Sequence, residues 1–275
     1  MIVEHITKEA FKKKCNVHEV DLVETGLFQE DDLEQIFTEM GVLGVQDKAK
    51  HFLKNELILV LKHPFKLLLN FPRIVRDQVL GIIRHYTNSK KKAGDRYPIS
   101  DYSFKAAVIR SFKPESVLEI GTWYGWGIGA IKHVCPQAMC YTINPKENKD
   151  ANNPIDKEMV GSFFRKRGLD IHQILADSTK FDFKTLKNID IIFVDGNHKY
   201  DWVYSDLKNS ASIAKKAVVM DDYIPSEDSP RGDVLFWSWA NRDVVKAVDD
   251  FLAKNDGIFK AAYWIEGTPV CVLIK

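Results

Sequence analysis

Val117-Leu-Glu-Ile-Gly-Thr-Trp-Tyr-Gly-Trp-Gly-Ile-Gly129 is the stretch that decides how this chain folds. Its first half is a short apolar run, which predicts a buried strand. The run then breaks at Gly121 and Gly125, and a helical pattern follows. Strand, glycine turn and helix in that order make a cradle for a ligand, because glycine lets backbone approach without a side chain in the way. Glu119 closes the strand, where a carboxylate can accept from vicinal hydroxyls of a ribose. The pattern therefore points to a cofactor containing adenosine, against the plainer reading of a tight turn between a strand and a helix.

Working outward from that turn, the chain alternates strands and helices to its end. Strands are predicted at 117–120, 139–143, 171–175, 190–194, 216–220, 259–265 and 269–274. Helices are predicted at 100–112, 125–134, 155–167, 200–213 and 243–254. Repeated strand–helix units imply an α/β fold with a doubly wound, mostly parallel seven-stranded sheet of Rossmann-like type. The last two runs flank Glu266-Gly267 and make a hairpin, so the final strand is antiparallel. Residues before about 93 lack strand alternation and break at Gly41, Gly44, Pro64 and Pro72. They read as a helical N-terminal region (1–93) ahead of an α/β domain (94–275), joined through the polar stretch 88–95.

Ligands of open parallel sheets bind at the carboxyl ends of the strands. Those ends carry Glu119, Asn144, Asp177, Asp195, Asp221 and Asp222. Five of the six are carboxylates, and like charges crowded on one rim repel unless something cationic or rich in hydroxyls sits among them.

The 275 residues carry a formal net charge of +1, which gives no argument for nucleic acid. Cys15, Cys135, Cys140 and Cys271 show no CxxC spacing and read as reduced, buried thiols of a cytoplasmic protein. No secretion signal or apolar run of spanning length is read. Charge is segregated along the N-terminal region. Residues 1–47 hold 11 acidic and 4 basic residues, and residues 48–92 hold 11 basic and 2 acidic ones. The second stretch, with Leu57-Ile-Leu-Val-Leu61, could lie on an anionic membrane surface, or pack as helices with its lysines in water.

The segments VLEIGTWYGWG (117–127), LADS (175–178), DIIFVDGNHKYDWVYSDL (190–207) and VVMDDY (218–223), with the closing hairpin, resemble class I S-adenosylmethionine-dependent methyltransferases. The resemblance covers about residues 95–275. DGNHKY, DDY and KAVDDFLAKN (246–255) narrow it to the group of macrocin-type sugar O-methyltransferases and cephalosporin-hydroxylase-like proteins. It implies that Gly121, Thr122, Trp123, Tyr124 and Gly125 hold the methionine end of S-adenosylmethionine, with Glu119 supporting that loop. It puts Asn144 at the ribose, where most members carry an acid, with Glu147 as a substitute one turn on. Asp177 and Ser178 fall at the adenine. Trp123 stands in place of the usual middle glycine.

The same resemblance implies that Asp195, Asp221 and Asp222 bind a divalent cation, Mg²⁺ or another hard ion such as Ca²⁺. That ion would orient an acceptor hydroxyl and lower its pKa. Asp195 lies beside both cofactor and acceptor. His198 is the candidate base, because Asn197 stands where macrocin-type enzymes carry an acid. Tyr200 and Asp206 are expected to fix the helix that follows. The loop 223–239, with Phe236, Trp237, Trp239, Arg231 and Arg242 in or near it, is a candidate acceptor wall. The function expected is O-methylation of a small hydroxylated molecule, with a homo-oligomer left open. Two alternatives stand beside it: a methyltransferase without a metal, and a cofactor-binding scaffold whose N-terminal region docks a partner or membrane. A dinucleotide oxidoreductase is disfavoured by the glycine spacing.

Overall fold

The computed structural model describes residues 1–22, 24–29, 32, 35, 97–145, 157–225 and 234–275, with backbone alone at 97–101 and 234–242. The chain divides into two compact units, one of Met1–Leu27 with Ser100–Lys275 and one of Phe28–Ile99. The N-terminal boundary thus differs from the one expected at residue 93, since the first 27 residues belong with the α/β unit. The basic stretch 48–92 lies outside the described residues. Among the described residues no helix is long and apolar enough to cross a membrane.

The α/β unit is built on an eight-stranded sheet. Its strands are β1 (Glu4–Ile6), β2 (Ser116–Ile120), β3 (Met139–Asn144), β4 (Ile171–Leu175), β5 (Ile189–Val194), β6 (Ala214–Met220), β7 (Ala261–Ile265) and β8 (Cys271–Ile274). The helices are α1 (Lys8–Cys15), α2 (Tyr97–Ser111), α3 (Trp126–Val134), α4 (Ser162–Lys166), α5 (Tyr200–Ile213) and α6 (Val234–Lys254). The spatial order is β1-β7-β8-β6-β5-β2-β3-β4. Only β8 runs antiparallel to its neighbours, as the closing hairpin predicts.

The seven predicted strands form, and an eighth joins them. Strand β1 pairs in parallel with β7, Glu4 facing Tyr263 and Ile6 facing Ile265. Three residues reading Glu-His-Ile carry no alternation of their own, so only the pairing makes them a strand. Helix α1 then starts at Thr7, whose hydroxyl accepts from the Ala10 N–H at 3.3 Å, and stops at Asn16 in a left-handed conformation (φ 53°).

Strands β2 and β5 are buried at every residue, which is why they read as largely apolar runs. They lie side by side, yet the chain leaves β2 towards β3 on one side and β5 towards β6 on the other. That reversal opens a crevice beyond their carboxyl ends. Below it the core holds Leu118, Ile120, Ile192, Val194, Val203, Leu207 and Phe251, each under 5 % exposed. Phe251 on α6 meets Tyr204 of α5 edge-on and Phe259 before β7, with ring centroids 5.6 and 6.4 Å apart. Replacing Phe251 with Ala should therefore remove about 3–5 kcal/mol of unfolding free energy in urea titrations. A loss under about 1 kcal/mol would mean that α6 is not seated on this core.

Candidate functional site

The glycine loop is fastened from beneath. Glu119 is 1 % exposed and lies under helix α3. A Cβ added at Gly127 would come within 2.4 Å of its Oε1, so glycine at 127 makes room for the carboxyl. The Thr142 hydroxyl donates to Glu119 Oε2 at 2.9 Å, and the Thr122 and Thr142 hydroxyls are 2.7 Å apart. Burial holds the Glu119 carboxyl well above its usual range, and the Asp195 charge pushes the same way. The Thr142 hydroxyl, the Ile128 N–H and Lys105 pull back less. Glu119 thus supports the loop, and its carboxyl is turned inward rather than towards a ribose.

Gly121 has φ +104°, and a Cβ there would lie 1.9 Å from the carbonyl oxygen of Asp195. The glycine serves an approach between two backbones, β2–α3 and β5–α5, where the sequence pattern suggests an approach to ligand. Gly125 (φ +87°) begins α3 and is covered by the Phe164 ring. Between them Thr122 and Tyr124 are buried, and Trp123 is half-buried at φ +42°. The Trp123 carbonyl accepts from Gly161 N–H at 2.7 Å, and the Tyr124 carbonyl from Phe163 N–H at 3.0 Å. Trp126 stacks on Tyr124 with centroids 4.7 Å apart and meets Trp123 edge-on at 5.1 Å.

On the next strands the polar side chains are turned partly into the protein. Asn144 is 6 % exposed, its Oδ1 accepting from Thr122 N–H at 3.3 Å and its Nδ2 donating to the Pro145 carbonyl at 3.0 Å. It joins the end of β3 to the glycine loop. Glu147 lies outside the described residues. Asp177 folds into its own turn. Its Oδ1 accepts from the Thr179 N–H (2.9 Å) and hydroxyl (2.7 Å), and Lys180 lies 3.2 Å from Oδ2. Burial works against the charge of Asp177, but these donors outweigh it and hold the carboxyl below its usual value. Ser178 beside it is buried.

Asp195, His198 and Asp222 come together at the ends of β5 and β6, each offering a ligand atom within 4.8 Å of the others. His198 Nε2 is 3.1 Å from Asp222 Oδ2 and 4.0 Å from Asp195 Oδ1. Burial lowers the imidazole's pKa, but the Asp222 charge, the bond to Asp195 and the remaining acid charges overcome it and raise it to about 9. In this cluster the imidazole is itself a cation at neutral pH. Asp222 adopts φ +57°, which turns its carboxylate towards His198.

Asp221 is engaged elsewhere. Its Oδ2 lies 2.5 Å from Nζ of Lys105 on α2, both side chains 7 % exposed or less, and its Oδ1 accepts from the Asp222 N–H at 2.9 Å. Of the three acids expected to share a cation, the structure brings Asp195 and Asp222 together with His198 and gives the third a lysine. Lys105 carried no sequence signal, because it lies 116 residues from its partner. Two tyrosines fasten this rim to helix α6. The Tyr223 hydroxyl donates to Asp249 at 2.8 Å, and the Tyr200 hydroxyl to Asp250 at 2.9 Å. The wall expected from residues 226–233 and from the side chains of 234–242 lies outside the described residues.

Residues 118–223 match a family described as a methyltransferase domain. That span runs from β2 to the residue after Asp222 and contains both halves of the rim. Over those residues the chain is similar to a methyltransferase domain. No curated protein matches the sequence at a significant level. Among solved structures, the methyltransferase PaMTH1 of Podospora anserina, bound to SAH, is similar over 64 % of this chain and 77 % of its own. It is 17 % identical, with a TM-score of 0.50. An O-methyltransferase from Bacillus cereus in complex with SAH covers 62 % of this chain and 79 % of its own, at 12 % identity and a TM-score of 0.43. At such identities the likeness concerns the fold alone.

One buried acid faces inward behind this rim. Asp206 on α5 is 1 % exposed, with Oδ2 placed 3.4 Å from where a Cβ on Gly196 would be. The Ser178 hydroxyl is near enough to favour its charge, yet among the described residues neither carboxyl oxygen, nor the Ser210 hydroxyl one turn on, has a partner of hydrogen-bonding geometry. Burial raises the Asp206 pKa to about 7, with Ser178 opposing and the Asp177 charge assisting. The folded state therefore holds this proton more tightly than the unfolded chain, whose carboxyl titrates near 3.9. Its contribution is full below about pH 4 and fades as pH rises through about 7.

Two variants test these assignments. Asp206→Asn should flatten the fall in urea-unfolding free energy between pH 5 and 8, which in the parent reaches as much as about 3 kcal/mol from this group. Parallel curves for variant and parent would remove the assignment. Gly121→Ala should lower the stability of the ligand-free protein by about 3 kcal/mol or more, seen by calorimetric melting. An unchanged melt with lost cofactor binding would return Gly121 to the ligand-facing role.

Proposed function

We propose that this chain transfers the methyl group of S-adenosylmethionine to a hydroxyl of a small acceptor, with a hard divalent cation such as Mg²⁺ or Ca²⁺ held at the rim. The observation that carries the proposal is the Asp195–His198–Asp222 cluster, together with the contact of Asp195 backbone on Gly121. That contact makes the glycine loop and the acid cluster contiguous, so donor and acceptor can meet across it.

The donor set fits such an ion. Two carboxylates offer hard oxygens, and Mg²⁺ is commonly held by one or two carboxylates, with waters and substrate oxygens completing its shell. When bound, the ion supplies a Lewis acid for the acceptor oxygen and offsets the acid charge that otherwise keeps His198 protonated. Asp195 and Asp222 hold it. The loop from Gly121 to Gly125, seated on Glu119, Thr142 and Asn144, positions the methionine end of the donor. The adenine lies towards Asp177 and Ser178. Methyl transfer is then an in-line displacement: the acceptor oxygen forms its bond to the methyl carbon as the carbon–sulfur bond breaks. The electron pair stays on sulfur, which leaves as a neutral thioether. The acceptor proton passes to His198 Nε2.

A second reading, transfer without a metal, is favoured by the two cations the protein already supplies to its acids, Lys105 and protonated His198. Transfer of a labelled methyl group to a panel of hydroxylated acceptors separates the two. His198→Ala should lower turnover 10²- to 10⁴-fold while calorimetry finds donor affinity unchanged, and EDTA should abolish parent turnover until Mg²⁺ is restored. Full turnover in EDTA would leave the metal-free reading standing, and full turnover in the His198 variant would place the base elsewhere.

A further inference from the structure

We propose that Lys105 is a positioning residue that withdraws Asp221 from the cation site, leaving a loosely held ion on Asp195 and Asp222. This rests on the cation-assisted reading above and deepens it.

Both oxygens of Asp221 are occupied. Oδ2 lies 2.5 Å from the Lys105 ammonium, and Oδ1 receives the Asp222 N–H at 2.9 Å. Accordingly, the ligand atoms that converge within 4.8 Å belong to Asp195, His198 and Asp222 and not to Asp221. The pair is buried, 7 % and 6 % exposed at its side chains, so the ammonium is poorly screened and repels any second cation brought to the same carboxylate. An ion bound by two carboxylates beside a fixed ammonium is weaker and exchanges faster than one bound by three. An acceptor product coordinated to such an ion can leave together with it.

Mn²⁺, followed by electron paramagnetic resonance on the full chain, reads the site without turnover. Lys105→Met frees Asp221 as a third ligand and should tighten Mn²⁺ binding about tenfold or more, whereas Lys105→Arg should stay within about threefold of the parent. The double variant Lys105→Met/Asp221→Asn removes the pair without leaving a lone buried charge. It keeps the test open if the single variant fails to fold. It should bind Mn²⁺ within about threefold of the parent, because the carboxylate removed was not a ligand. A more than tenfold loss in the double variant, or unchanged affinity in folded Lys105→Met, overturns the inference and leaves the cation-assisted reading intact. Absence of Mn²⁺ binding in the parent and every variant overturns both.

Discussion

Two backbones touch at Gly121 and Asp195, and the rest of the site is arranged around that contact. No side chain fits between them, so a Cβ at position 121 would force the end of β2 away from the end of β5. The sheet brings the strands together, since Asp195 N–H donates to the Ile120 carbonyl at 2.8 Å. The glycine then lets the chain turn away in opposite directions immediately above. The proposed transfer needs a methyl donor and a hydroxyl to meet within a few ångströms, and a wall of side chains at this point would hold them apart.

The second constraint is charge. Four of the five rim acids crowd together, and the protein divides them among three environments. Glu119 is buried and inclined to keep its proton, Asp221 is paired with a lysine, and Asp195 and Asp222 share an imidazole. Only the last two lie where an added cation can reach both. A cluster in which every acid were equally available would carry more repulsion in the resting fold and a tighter grip on any ion that relieved it. Dividing the acids by environment keeps the fold tolerable while leaving one place open to chemistry.

Much of this was legible from residues alone, and the reasons are physical. Short apolar runs such as Ile191–Val194 read as strands buried on both faces, and the rule that ligands sit at strand ends then singled out the rim acids. What stayed hidden was direction and distance. Glu119 and Asn144 stand at strand ends as expected, but which way their carboxyl and amide turn depends on Thr142, Thr122 and the placement of α3. Lys105 comes from a helix distant in sequence, and nothing in its surroundings there marks it as the partner of Asp221. Strand β1 is too short and too polar to announce itself, and exists because β7 offers an edge. Asp206 could be placed on its helix but not on the helix's inner face behind Gly196.

Helix α6 enters the chemistry without approaching it. Its neighbouring carboxylates Asp249 and Asp250 hold Tyr223, one residue past Asp222, and Tyr200, two residues past His198. The two halves of the cluster are thereby splinted to one rod, anchored right beside these carboxylates by Phe251. Their separation is set jointly by the sheet and by this brace. Slackening the brace would misalign imidazole and carboxylate while every strand remained in register.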